Sequence, residues 1–250
     1  MADFADLKSS WTRGHSRSVA ELAKAAGIEA RLSTEQCDQL SRAGLVHDLG
    51  QVGIENGIWD KPGDLSTDEW EKVRLHSYWT DRILSRCPAL APLGALASSH
   101  HERMDGTGYH RQSTADQLTV EARLLAAADV LVALTSRRPH RNSFDLETAA
   151  TLMREAASIR HLDKAAVEFA IAAVGGKAEN PESFNPDGLT DREIEVLKLS
   201  SRGSTNRQVA RQLFISVKTV GRHVENIYAK IGVSTRAGTA IYAMENRLIH

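Results

Sequence analysis

Two histidine-containing doublets lie 53 positions apart in this chain, His47-Asp48 and His100-His101, and His15, His76 and Asp129 add groups of the same kind. Neutral imidazole and carboxylate are the donors that borderline and hard divalent cations take. Seven such groups exceed what one tetrahedral ion requires, so the count points to a two-metal hydrolytic site. A lone histidine on an apolar helix is more often a hydrogen-bonded core residue; the pairing of histidines changes that balance. Neighbouring residues on a helix point about 100° apart. His47 and Asp48 are therefore expected to flank a wide site, with the carboxylate bridging two ions, rather than serve one ion from one face.

The elements that must position these groups read as helices. Val19, Leu22, Ala23 and Ala26 follow helical spacing, with Gly27 expected to end the helix. Cys37, Leu40, Ala43, Gly44 and His47 form a second stripe that breaks at Gly50 and Gly53. Ser66-Thr67-Asp68-Glu69 starts a third helix, with a hydroxyl to accept from first-turn amides and acids at the positive end of the dipole. Residues 120–131 form a nearly apolar helix carrying Asp129. A lone carboxylate there is expensive to bury unless a cation or donor meets it, which marks Asp129 as a ligand candidate.

The order and spacing of His47-Asp48-Leu49-Gly50, Ile58 to Leu65, Glu69-Trp70, His76, and His100-His101-Glu102-Arg103-Met104-Asp105-Gly106-Thr107-Gly108-Tyr109 resemble the HD-GYP branch of the HD-domain metal-dependent phosphohydrolases. Ala128-Asp129-Val130 and Ala133 to Pro139 continue the match, which covers most of residues 13–175. The resemblance implies an all-α fold and hydrolysis of cyclic di-GMP at a centre of two divalent transition-metal ions per chain. Iron or manganese is expected first; zinc, nickel and magnesium are the alternatives. It implies that His15, His47, Asp48 and Asp129 hold one ion and that Asp48, His76, His100 and His101 hold the other. It also implies substrate contacts from Gln51, Arg138, Arg141, Tyr109 and His110.

Several positions depart from that pattern. Gln51 stands where a lysine is expected, His110 replaces the proline of the Gly-Tyr-Pro signature, Val132 replaces a second acid, and Trp11 replaces a glutamate. The metal ligands are intact while the phosphate-handling groups are thinned. Slow turnover, a different phosphoester and ligand sensing are all compatible with that. The match begins close to Met1, as it would in a fragment of a longer regulator.

The last quarter reads differently. From Gly188 onward there are ten Lys and Arg against five acids, whereas the remainder has 21 against 27. A basic module on an acidic body fits nucleic-acid binding by the module. Thr190-Asp191-Arg192-Glu193 and Thr205-Asn206-Arg207-Gln208 are capping boxes; Ser216 caps a third helix that Gly232 stops; Arg236 to Leu248 forms a fourth. Short helices with tight polar turns and a basic third helix are the helix-turn-helix pattern. Residues 189–249 closely resemble the LuxR-type output domain.

That resemblance implies phosphate contacts from Asn206, Lys218, Thr219 and Arg236 on double-stranded DNA, and base reading from Gly221, Arg222 and Glu225. It also implies a homodimer through Ala237, Ala240, Ile241, Met244 and Leu248. The expected organisation is thus an HD-GYP-like metal domain over residues 1–175, a Gly/Pro-rich linker over 176–187 with Phe184 pinned to one domain, and a four-helix LuxR-type domain over 188–250.

Hydrophobic residues make up 42% of the chain, enough for a sizeable core, and no apolar run approaches the roughly 20 residues that span a bilayer. The first residues lack a signal peptide's basic and apolar regions. Cys37 and Cys87 are too few for a disulfide scaffold and are expected to be reduced. These features lead to a cytoplasmic transcription regulator that binds, and slowly hydrolyses, a nucleotide messenger such as cyclic di-GMP. An active phosphodiesterase with secondary DNA binding, and a regulator with a purely structural metal site, are the alternatives.

Overall fold

The computed structural model describes residues 2–9, 11–138, 141–178, 187, 189–246 and 248–249. The chain divides into two compact units, Met1–Ser183 and Phe184–His250. Both are helical, and no strand occurs among the described residues; isolated bridges join Asp105 to Thr114 and Arg138 to Arg141. The all-α expectation therefore holds. No helix among the described residues is long and apolar enough to cross a membrane. Most of the expected linker, Phe184 included, lies outside the described residues.

The first unit runs α1 (Ala2–Asp6), α2 (His15–Glu29), α3 (Thr34–Val46), a 3₁₀ turn (Leu49–Gly53), α4 (Asn56–Trp59), α5 (Thr67–Leu84), α6 (Ala91–Ala97), α7 (Val120–Thr135), α8 (Leu146–Ser158) and α9 (Lys164–Ala173). Helix α7 is the axis. Leu124, Leu125, Ala127, Ala128 and Leu131 on it are buried, and α2, α3, α6, α8 and α9 pack around it. Local signals start the helices as expected. Ser66 accepts from Glu69 N while Glu69 accepts from Ser66 N, closing a capping box at the head of α5.

Small residues let α2 and α3 come close. A Cβ on Gly44 would sit 2.6 Å from the Ala20 Cα. Gly27 does not end α2, contrary to expectation; the helix continues to Glu29. The reason is packing: a Cβ on Gly27 would meet Leu40 at 2.9 Å and Cys37 at 3.1 Å. The chain instead turns at Arg31, with φ of 60°.

The second unit consists of α10 (Asp191–Ser201), α11 (Asn206–Gln212), α12 (Val217–Ile231) and α13 (Arg236–Glu245). Val196, Leu197, Val209, Val220, Ile227 and Ala243 form its core. Both expected capping boxes are present, at Thr190 and Thr205, and Ser216 caps α12. Gly232 stops α12 in the left-handed region, with φ of 67°. Helix α13 ends three residues short of Leu248, which packs on the unit's own core together with Ile249. Leu248 therefore leaves the face expected to dimerise.

One close approach in the first unit bears on the site. A Cβ on Gly50 would lie 1.9 Å from the His76 carbonyl oxygen and 2.6 Å from Thr80 N, both backbone atoms of α5. Gly50→Ala must push the 3₁₀ turn off α5, at a cost of roughly 1–3 kcal/mol. The thermal midpoint is expected to fall, and bound metal to fall with it. A variant with wild-type midpoint and metal content would show that this contact is not required.

Candidate metal centre

The structure brings His15, His47, Asp48, His76, His100, His101 and Asp129 into one buried cluster. Their candidate ligand atoms fall into three overlapping groups: His15, His47 and Asp129; His47, Asp48 and His100; and His76, His100 and His101. Within each group the atoms lie within 4.8 Å of one another. Helices α2, α5 and α7 supply His15, His76 and Asp129; the end of α3 supplies His47 and Asp48; the segment after α6 supplies the second doublet.

Three imidazoles share one anchoring device. Nδ1 of His47, His76 and His100 lies 2.7, 2.6 and 2.8 Å from the carbonyl oxygen three residues earlier, on Gly44, Val73 and Ala97. A carbonyl only accepts, so each Nδ1 donates and each Nε2 is the ring atom turned inward, presenting a lone pair whenever the ring is neutral. Such backbone anchoring fixes tautomer and ring direction in metal-ligating histidines. His76 Nε2 and His100 Nε2 are 3.1 Å apart. Two lone pairs at that distance repel unless a proton or a cation lies between them. His47 Nε2 and His15 Nδ1 are buried without a hydrogen-bond partner. The donor set fits divalent cations.

Asp48 sits in the middle. One carboxylate oxygen lies 3.3 Å from His47 Nε2 and 3.7 Å from His15 Nε2; the other lies 3.4 Å from His76 Nε2 and 3.5 Å from His100 Nε2. The expectation that His47 and Asp48 could not easily serve one ion from one face rested on helical geometry that the chain does not keep here. It assumed a continuous helix, but α3 stops at Val46, His47 caps it, and Asp48 has φ −99° and ψ 12°. The break swings the carboxylate back towards the preceding imidazole. Thr80 holds the break in place: its hydroxyl donates to the His47 carbonyl at 2.8 Å and accepts from Gly50 N at 2.9 Å.

Burial opposes charge throughout the cluster, yet the carboxylates prevail locally. Asp48 and Asp129 hold His47 well above the ordinary imidazole value against its burial. His47 and His100 hold Asp48 well below the ordinary carboxylate value, and His15 and His47 do the same for Asp129. Burial pushes His76 down to about 4, and burial with His100 and His76 as neighbours pushes His101 well below its ordinary value. His76 and His101 are thus neutral and ready to coordinate near pH 7.

A cavity of about 710 Å³ opens beside the cluster, with His100, His101, Tyr109, Arg74, Arg103 and Trp70 among its walls. The Tyr109 ring stacks 4.6 Å from His101. Buried Glu102 shapes that loop by accepting from Arg111 N and Ser113 N at 2.7 and 2.8 Å. Of the five expected substrate residues, Tyr109 alone is among the cavity's lining residues. Gln51 is buried in the 3₁₀ turn. His110 faces Asp81 at 3.7 Å and the Tyr78 ring at 5.6 Å. Arg141 donates to the carbonyls of Ala133, Leu134 and Asn142, closing the end of α7. Arg138 pairs with Arg141 through the backbone. Sequence reasoning missed Arg74 and assigned no role to Arg103 or Trp70, although the last two stand inside the quoted motifs.

A family model described as HD domain matches residues 1–166. The chain belongs to the HD-domain family. Residues 187–243 match a second model, bacterial regulatory proteins of the luxR family. Both resemblances drawn from the sequence therefore hold.

Curated relatives match the HD part. The 3'3'-cGAMP-specific phosphodiesterase 3 of Vibrio cholerae is 37% identical over 150 residues, covering 60% of this chain and 33% of that protein. The cyclic di-GMP phosphodiesterase of Thermotoga maritima is 34% identical over 151 residues, covering 60% and 40%. The cyclic di-GMP phosphodiesterase response regulator RpfG of Xanthomonas campestris is 33% identical over 141 residues, covering 54% and 37%. The chain spans between a third and two fifths of the length of these three relatives.

In the luxR-type domain, Lys218, Thr219, Arg222 and Glu225 of α12 are exposed, as is Asn206 at the head of α11. A Cβ on Gly221 would meet nothing within 4 Å, so that stretch of α12 is open to close approach. Arg236 donates to the carbonyls of Ser200 and Ser204, which draws its guanidinium towards the end of α10.

His47 is protonated in the metal-free fold and must lose its proton to coordinate. Binding of Mn²⁺ near pH 7 should therefore release protons, and affinity should rise with pH. Calorimetry in buffers of different ionisation enthalpy measures this directly. Heats that do not depend on the buffer would contradict the assigned protonation.

Proposed function

We propose that this chain is a transcription regulator that binds double-stranded DNA through its luxR-type domain, and that its HD domain binds a cyclic dinucleotide at a two-cation centre and hydrolyses it slowly. The observation that carries the reading is the set of three Nδ1-anchored imidazoles converging with His15, His101 and two buried carboxylates beside a nucleotide-sized cavity. Pockets for such ligands run from about 300 to 1,000 Å³. The relatives named above, described as acting on cyclic di-GMP or 3'3'-cGAMP, support the ligand class.

His15, His47 and Asp129 would hold one cation and His76, His100 and His101 the other, with Asp48 shared; iron or manganese suits the donors. Bound cations would supply an activated water and Lewis acidity towards the phosphoryl oxygens. The residues around them do the rest. The backbone carbonyls keep three imidazoles in register, Tyr109 walls the reacting side of the cavity, and Glu102 holds the loop that carries Tyr109. Gln51 leaves the centre without the lysine charge of the family pattern, which slows turnover and favours sensing.

In the same reading the domains span residues 1–175 and 188–250, and the protein is cytoplasmic and dimeric. The exposed face of Ala237, Ile241 and Met244 on α13, with half-buried Ala240, supplies the dimer contact. The α12 face enters the major groove, with Lys218, Thr219 and Asn206 on phosphates and Arg222 on a guanine. A second reading, an active phosphodiesterase whose DNA binding is secondary, is favoured by the completeness of the ligand set.

Gln51→Lys separates the two. Under the sensor reading the wild type turns over slowly, and the lysine should raise cyclic di-GMP hydrolysis by at least about tenfold. Fast wild-type turnover that the lysine does not improve favours the enzyme. Absence of hydrolysis and of binding in both proteins, with metal present, would sink both readings.

On DNA, Lys218→Ala should weaken every duplex alike and flatten the salt dependence by roughly one phosphate contact. Arg222→Ala should cost about 1–3 kcal/mol on the preferred site alone. Titrations of preferred and scrambled duplexes at several salt concentrations test this. Equal losses on both duplexes for Arg222→Ala would rule out base reading by that residue.

A further inference from the structure

The cavity has a charged wall that the metal centre does not explain. Arg103 is half-buried on it and donates to His161 Nε2 at 3.4 Å. Among the described residues, no carboxylate lies within ion-pair distance of Arg103. A guanidinium at a cavity wall without a counter-charge is set up for an anion. Arg74 stands on the same wall, 6.0 Å over the Tyr109 ring, with an exposed ion pair to Glu71 as its acidic contact. Such exposed pairs are weak and readily exchanged. Trp70 precedes Arg74 by one turn of α5, so both project from one face. Trp70 is 46% exposed and also lines the cavity.

The groups that line the cavity are informative. His101 belongs to the ligand cluster, Tyr109 lies against His101, and Arg74 lies over the Tyr109 ring. The ligand residues His100 and His101 and the guanidinium groups of Arg74 and Arg103 thus share one cavity. A ligand with a single phosphodiester would use one of these two sets. A cyclic dinucleotide carries two phosphates on opposite sides of its ring, and the cavity offers two sets of anion-attracting groups.

We infer that Arg74 and Arg103 form a second phosphate subsite, which holds the phosphodiester that is not being cleaved while Trp70 stacks on one base. This rests on the reading of the cavity as a cyclic-dinucleotide site. It also supplies the cationic contact that Gln51 no longer offers, but on the distal phosphate. Charge there strengthens binding more than it speeds bond breaking, which fits a sensor. His161, 3.7 Å from Asp105 and 3.4 Å from Arg103, positions the Arg103 guanidinium.

The test is equilibrium binding of a hydrolysis-resistant bisphosphorothioate analogue of cyclic di-GMP to the manganese-loaded full chain at several salt concentrations. Metal content is measured on each preparation. The Arg74→Gln, Arg103→Gln double variant should retain its metal, bind at least about tenfold more weakly and show a shallower salt dependence. Trp70→Ala should bind roughly fivefold or more weakly with the salt dependence unchanged. A metal-loaded double variant that binds within twofold of wild type, with the same salt slope, overturns the subsite and leaves the proposed function standing.

If the double variant loses metal or helix content, Arg103→Lys decides, since it keeps the charge and removes the fork. Binding weakened severalfold with metal retained supports the subsite, and unchanged binding overturns it. Wild-type protein that holds metal and cleaves bis(p-nitrophenyl) phosphate yet binds no cyclic dinucleotide overturns both the subsite and the nucleotide reading, while leaving the metal centre intact.

Discussion

The first unit is organised around a juxtaposition that the uncharged, cation-free chain would resist. Imidazole lone pairs and two carboxylates converge where water is excluded. His76 and His100 present Nε2 atoms 3.1 Å apart, and Asp48 is 5% exposed. Taking an isolated carboxylate out of water costs several kcal/mol even after relaxation. With no cation in the middle, the imidazole of His47, held well above its ordinary value, helps to offset it. The fold around the cluster therefore has to be rigid, and the anchors are built accordingly: three Nδ1 protons on helix carbonyls, one threonine hydroxyl bridging the break after α3, and one glycine seated on α5.

That constraint explains the distribution of small residues. Helix α7 carries Asp129 among alanines and leucines, and its small side chains let neighbouring helices close around the cluster. Gly27 and Gly44 do the same for α2 and α3. These glycines serve packing; the left-handed turns occur elsewhere, Arg31 and Gly232 among them.

Much of this was legible from the chain. The seven ligand candidates could be named because histidine doublets and a lone aspartate on an apolar helix are costly unless used. The capping boxes at Ser66, Thr190 and Thr205 depend only on residues three apart and appear as expected. What was not legible depends on tertiary contacts. The helical periodicity that groups Cys37 with His47 carries no mark of where α3 stops, so Asp48 could be named as a bridging carboxylate but not the helix break that turns it inward. Gly27 looked like a helix end because a close approach from Leu40 is invisible in a single sequence. Arg141 matched a phosphate-binding position, yet its guanidinium meets three main-chain carbonyls at the end of α7. Leu248 matched a dimer position but packs inward once α13 ends at Glu245. Arg74 and Arg103 emerged only when the cavity revealed which charges lack a strong partner.

The central claim is that Asp48 lies between two cations held by separate groups of histidines. Anomalous diffraction from crystals grown with Mn²⁺, recorded on both sides of the manganese edge, tests it most directly. The account predicts two peaks flanking Asp48, one bounded by His15, His47 and Asp129 and the other by His76, His100 and His101. No peak in this cluster, or a single peak that leaves either group of histidines without a metal, would contradict it.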